Sequence, residues 1–312
     1  MTLITVTPNT SVDRTLEVPG LTLGAHLQGR LVRLRPGGKG VNVAQCLAAL
    51  GVPSVVTGFV GAAELPLFRE SFAGSPVAVE LVPVAAPTRT CTTLLDPERG
   101  TDTHIREQGA GVTATEIRAL RARLEGLASP DALVVLCGSL PPGMSGDHLE
   151  ALLAACRARG AQVAADLNGS ALPRALAARP LLIKPNVEEL GECLGCDLAE
   201  ASGAELLEAA RSLLDRVGTV LLTRGRRGAL AVSPARALAC TVAIPQARNT
   251  VGCGDAFLAG YLAGVVRGAP MEDALRLAVA CGAAQASSDA AGCISAGQVA
   301  ELAPRAEVRT VQ

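Results

Sequence analysis

The sequence predicts an α/β fold of three layers around a mainly parallel sheet, with a small second β-sheet as a lid. Continuous apolar runs such as residues 132–137, closed by Gly138, have the pattern of strands buried on both faces. Stretches with apolar residues at helical spacing alternate with these runs. Residues 11–35 and 88–109 break that alternation and have strand character of their own.

Residues 1–6 open the chain as a first strand. Residues 11–35 are strand-like but interrupted by Pro19, Gly20, Gly24 and Gly29. Residues 88–109 predict two strands joined by the turn sequence Asp96-Pro97-Glu98-Arg99-Gly100. After the strand at 132–137, residues 147–159 place Leu149, Leu152, Leu153 and Cys156 on one helical side. Strands follow at 162–165 and 181–183, then a helix over 204–217. Short strands at 220–222 and 229–232 precede Ala-rich helices at 255–266 and 271–287. No repeat or low-complexity linker divides the chain. One domain over residues 1–312 is expected, with lid strands from about 11–35 and 88–109 that cover a site.

The composition excludes several classes. A formal net charge of −1 does not supply the basic surface that nucleic acid requires. Charged residues, Pro or Gly interrupt every apolar run before the roughly 18–20 residues of a membrane span. The N-terminus lacks the basic start and apolar core of a signal peptide, so a soluble cytoplasmic protein is expected. The 10 cysteines are scattered and several lie in apolar runs, as reduced buried residues do. Cys193 and Cys196 form a lone CxxC with no histidine nearby, which does not support a zinc site. Arg and Lys together number 28, yet Lys occurs only at Lys39 and Lys184, and both fall inside the motifs below.

Three segments carry chemistry. In Asn249-Thr250-Val251-Gly252-Cys253-Gly254-Asp255, small residues open a helix whose first N–H groups and dipole form an anion site. Asp255 in that first turn is placed to take a hydroxyl proton beside the anion. A thiol at a helix start is acidified by the dipole, which makes Cys253 a candidate reactive group; the alternative is a buried stand-in for alanine. Gly37-Gly38-Lys39-Gly40-Val41-Asn42 is no P-loop, since Gly40 stands where Ser or Thr must follow Lys. Its glycines and Asn42 suit close contact with a polyhydroxylated ligand. Lys184-Pro185-Asn186 through Glu189 runs from a strand end into a helix, where Asn186 and Glu189 suit nucleotide phosphate and water-bridged Mg²⁺. Taken singly, each segment has a plainer explanation as a turn or helix cap.

Taken together and in this order, they resemble the PfkB, or ribokinase-like, family of carbohydrate kinases across essentially the whole chain. Gly37 to Asn42 is similar to its N-terminal sugar-binding signature, and Thr250 to Asp255 to its C-terminal one, with Cys253 where Ala is usual. The chain looks most like the phosphosugar branch, which holds 1-phosphofructokinases and tagatose-6-phosphate kinases. The resemblance implies that Asp255 is the base, with Gly252, Cys253 and Gly254 forming the anion hole. It implies Asp13, Gly37, Gly38, Lys39, Asn42, Arg89 and Ser139 for the sugar phosphate. For ATP it implies Lys184, Asn186, Thr223, Gly225, Gly228 and Ser288, with Glu189 for Mg²⁺. Leu27-Gln28 stands where that branch often carries Asn-Arg, which leaves Arg30, Arg33, Arg89 and Lys39 as the candidates for holding the substrate's phosphate.

The expected reaction is phosphorylation of a ketohexose phosphate, fructose 1-phosphate first, with tagatose 6-phosphate or fructose 6-phosphate as alternatives. A non-catalytic sugar- or nucleotide-binding regulator is the different-class alternative. A small-molecule sugar phosphate is the expected partner, and the lid sheet's edge suits pairing in a homodimer.

Overall fold

The strand Thr2–Thr7 runs at the heart of an 11-stranded sheet, flanked in parallel by Ser54–Gly61 and Ala132–Gly138. The computed structural model describes residues 1–244, 247, 250–288 and 292–312. Beyond Ala132–Gly138 the sheet continues in parallel through Gln162–Leu167, Leu182–Ile183 and Thr219–Thr223. Beyond Ser54–Gly61 it ends on Val77–Val79 and Val82–Val84, both parallel to that strand.

Side chains alternate between the faces of a strand. Leu133, Val135 and Cys137 meet one helical layer, while Ala132, Val134 and Leu136 meet the other. Both faces are buried, which is why this strand reads as an unbroken apolar run. One layer contains Lys39–Ala49, Cys253–Val266, Met271–Ala286 and Ala296–Leu302; the other includes Ala114–Leu127, Gly146–Ala158 and Gly203–Arg211. Among the described residues, four helices start with a reciprocal capping box, including Asn186 with Glu189 and Ser202 with Glu205. Each cap contributes about 1 kcal/mol.

The helix Cys253–Val266 is buried on nearly all sides. It packs tightly on Met271–Ala286: a Cβ at Gly260 would lie 2.8 Å from Ala278 Cα, and one at Gly264 2.7 Å from Ala274 Cα. This contact fixes the helix whose first turn carries Asp255.

The second sheet has four strands in the order Arg30–Gly37, Ser11–Glu17, Arg89–Asp96, Thr101–Arg106. Asp96 ties its parts together, its buried carboxylate accepting from the backbone N–H groups of Gly20, Leu21, Glu98 and Arg99. These bonds hold its pKa below the usual value against the effect of desolvation. Asp96→Ala should therefore free residues 18–29, and limited proteolysis should cut there first. The depressed pKa means that this anchor is complete above the unfolded value and lost as pH falls through the folded one.

The three-layer sheet and the separate small sheet match the expected fold class. Several details differ, and the strand Ser54–Gly61 and the helix Ala114–Leu127 were not among the expected elements. Residues 18–29 form no strand, because Pro19 and the positive φ of Gly20 and Gly24 turn the chain out of the ladder. The helix expected over 204–217 ends at Arg211, and Leu213 reaches the core from the turns that follow. The sheet closes on an antiparallel edge of Ala229–Val232, Ala237–Thr241 and Glu307–Val311, the last two of which the sequence pattern did not disclose. Among the described residues, no helix is long and apolar enough to cross a membrane.

Candidate active site

Parallel strands deliver their carboxyl ends to one edge, and the three motif segments meet there. Gly252, at φ 78°, turns the chain into the helix Cys253–Val266, so Gly254 and Asp255 lie in a first turn whose N–H groups have no helical acceptor. Asn249 lies outside the described residues. Asp255 is buried at 6% exposure, and its Oδ2 accepts a 2.8 Å hydrogen bond from Asn42 Nδ2. Burial first, and then the nearby Asp166 charge, push the Asp255 carboxyl up to about 6; Lys39, Asn42 and Lys184 oppose that rise. A base must be deprotonated to act, so kcat/KM should fall as pH drops through about 6. Asn42→Ala removes a bond to the charged form and should move that acid limb to higher pH. An unmoved limb would uncouple Asn42 from the base.

Both lysines converge on Asp166, which is fully buried. Lys39 Nζ lies 3.0 Å from Asp166 Oδ1 and 3.2 Å from Glu189 Oε1, and Lys184 Nζ lies 3.3 Å from the same Asp166 oxygen. A Cβ on Gly254 would stand 3.2 Å from Lys184 Nζ, which puts that ammonium against the glycine loop. Lys39, expected with the sugar, thus also reaches the nucleotide motif. Asp166 was missed from sequence; the one signal for it is an acidic residue at the carboxyl end of an apolar strand, which alone does not separate it from a loop residue.

Glu189 completes the capping box with Asn186, its Oε2 accepting from Asn186 N at 2.9 Å while Asn186 Oδ1 accepts from Glu189 N at 2.8 Å. Its Oε1 also accepts from Asn168 Nδ2. Thr223 bridges in parallel to Asn186 and donates its N–H to Pro185 O. Gly225 and Gly228 have positive φ, and a Cβ on Gly228 would meet Cys240 O at 2.1 Å, so only glycine fits that turn. Ser288 follows Met271–Ala286 and exchanges hydrogen bonds with Gln285.

On the side facing the small sheet, Gly37 leaves room for Asp13, whose carboxylate a Cβ there would overlap at 2.2–2.4 Å. Gly38, at φ 108°, packs on Thr7 and Thr10. Asp13 accepts from Ser11 Oγ at 2.7 Å; burial raises its pKa while Arg35, Arg89 and Arg106 act to lower it. Ser139 Oγ accepts from Asn9 Nδ2.

Three expectations change. Arg89 is not an open fork: its Nε, Nη1 and Nη2 donate to the carbonyls of Thr10, Glu107 and Asn9, tying the small sheet to the main one. Arg35 and Arg106, absent from the sequence-derived candidates, share its side of the site. Arg30 pairs instead with Glu17 at the surface. Cys253 is not acidified, because burial and the neighbouring Asp255 push its thiol up to about 11. Alkylation at pH 7.5 should therefore label exposed Cys196 and Cys293 well before Cys253, as peptide mapping would read.

The site has a base beside an anion cradle, with two lysines linking sugar-side and nucleotide-side motifs. The family model for pfkB family carbohydrate kinases matches residues 1–296. The chain belongs to that family. It is an enzyme that phosphorylates carbohydrate at the expense of ATP. It is 39% identical over 283 residues to the 1-phosphofructokinase of Rhodobacter capsulatus, covering 89% of this chain and 88% of that one. It is 32% identical to the 1-phosphofructokinase of Bacillus subtilis, covering 93% and 94%. Phosphofructokinase-2 from Escherichia coli, solved in complex with substrates and products, superposes with a TM-score of 0.90 at 25% identity, covering 97% of this chain and 99% of that one.

Proposed function

We propose that this kinase transfers the γ-phosphoryl group of ATP to fructose 1-phosphate, giving fructose 1,6-bisphosphate and ADP. The observation that carries this reading is the 39% and 32% identity to 1-phosphofructokinases over about nine-tenths of the chain. Asp255 takes the proton of the substrate's free primary hydroxyl; that oxygen attacks the γ-phosphorus, and the bond to the ADP oxygen breaks. Charge on the transferring group is met by the first-turn N–H groups after Gly252, around Cys253 and Gly254, and by Lys184. Asp13, Gly37, Gly38, Lys39, Asn42 and Ser139 hold the sugar. Arg35, Arg89 and Arg106 are the charges near Asp13 that the sugar's phosphate can meet, Arg35 and Arg89 also being held by protein partners.

Asn186, Thr223, Gly225, Gly228 and Ser288 receive the nucleotide beside Lys184. Mg²⁺ prefers hard oxygens and keeps much of its water, taking substrate phosphates together with one or two carboxylates. Glu189 fits such a role: it is a carboxylate at the site edge whose lone pairs are only partly used by Asn186, Asn168 and Lys39. Glu189 would hold the ion, which would supply charge neutralisation on the phosphates. The reaction belongs in the cytoplasm, where ATP is supplied. Leu31, Val32, Leu34 and Ile105 leave an exposed apolar patch on the small sheet, which suits a homodimer that closes one lid against another.

A coupled ADP-release assay over phosphorylated and free sugars tests the reading. The expected kcat/KM for fructose 1-phosphate exceeds that for fructose 6-phosphate, tagatose 6-phosphate and free hexoses at least tenfold. A reversed order would move the acceptor to a 6-phosphate. No ADP release with any sugar would leave a binding regulator.

A further inference from the structure

Among the described residues, Asp166 is the one carboxylate in contact with both lysines. It lies at the carboxyl end of Gln162–Leu167 and is completely buried, between the motif that faces the sugar and the motif that faces the nucleotide. One of its oxygens serves both ammonium groups, at 3.0 and 3.3 Å; the other, Oδ2, has no hydrogen-bond partner among the described residues. A chain that places Arg at every other basic position keeps Lys at these two. A compact ammonium and a planar guanidinium are not interchangeable in a tight site, and a Cβ on Gly254 would stand 3.2 Å from Lys184 Nζ.

Without a counter-charge, Lys184, only 4% exposed, would be an uncompensated buried cation and would swing away. A long side chain also has many rotamers, and fixing it before reaction removes reorganisation from the barrier.

We propose that Asp166 is a positioning residue that holds the Lys39 and Lys184 ammonium groups on either side of the phosphoryl-transfer path, preorganised for the transition state. It touches neither sugar nor nucleotide and acts through the lysines. The proposal rests on the kinase reading above. Since the two lysines come from opposite motifs, their shared anchor also fixes the distance between the two substrate subsites.

The test is a double-mutant cycle combined with a spectroscopic readout. Asp166→Asn keeps shape and removes charge, and kcat should fall about a hundredfold, with KM for both substrates changed less than threefold. Lys184→Met should give a comparable loss, and the double variant should lose little more than the larger single one. Multiplying losses would overturn the proposal, as would a change confined to KM. Because the chain has only two lysines, lysine-selective ¹⁵N labelling yields two side-chain ammonium signals. Both should be slow-exchanging in the wild type, and Asp166→Asn should broaden the Lys184 signal and displace that of Lys39. Unchanged signals in a folded Asp166→Asn chain would refute it. Should that chain fail to fold, Lys39→Met answers the same question: with Asp166 present the Lys184 signal stays in place, and its loss would show that Asp166 is not what holds it. A wild-type chain inactive on every sugar would sink the kinase reading while leaving the ammonium signals to judge Asp166.

Discussion

The Asp255→Asn chain is expected to lose kcat by ~10²–10⁴-fold while folding normally and binding the sugar as before. The side chain is buried at the start of a helix packed on all sides, and the amide has the volume of the carboxylate. Asn42 Nδ2 finds the amide oxygen in place of Oδ2, so the hydrogen bond survives. Replacing a charge that burial and Asp166 already disfavour should not weaken the fold, and the melting temperature should hold or rise. Only the proton acceptor is gone. A loss of less than tenfold in kcat would remove Asp255 from that role.

Gly37→Ala should raise KM for the sugar phosphate by about 10–100-fold, the equivalent of one or two charge-assisted hydrogen bonds. The added Cβ overlaps the Asp13 carboxylate at 2.2–2.4 Å, a distance that no side-chain Cβ tolerates. Asp13 is short and held by Ser11, so it must leave its position. KM for ATP should be unchanged, since the nucleotide motif lies across the site on Leu182–Ile183 and Val187–Leu194. Equal weakening of both substrates would mean that the whole small sheet had shifted.

The parts of this site that were legible in the sequence are those where backbone demands a residue type. Gly252, Gly37 and Gly38 have positive φ or close contacts that exclude side chains, and such glycines punctuate a sequence visibly. Strands such as Ala132–Gly138 were legible because burial on two faces leaves no polar position. Asp166 was not, since one acidic residue after an apolar strand resembles any loop residue until its partners, 127 positions away at Lys39, are brought to it. Arg89 was legible as a residue of the small sheet, but its carbonyl partners at Asn9 and Thr10 come from the segment after the first strand, 79–80 positions away. The acidity expected of Cys253 followed from its helix position, and burial beside Asp255 outweighs the dipole. The antiparallel edge escaped because Ala237–Thr241 and Glu307–Val311 are short and carry no alternation of their own.

The most direct test of the central claim is the product itself. Wild-type enzyme with ATP, Mg²⁺ and fructose 1-phosphate, followed by ³¹P NMR, should convert the single sugar-phosphate resonance into the two resonances of fructose 1,6-bisphosphate as ADP appears in equal amount. ADP formed without a second sugar-phosphate resonance, or conversion by the Asp255→Asn chain at the wild-type rate, would contradict it.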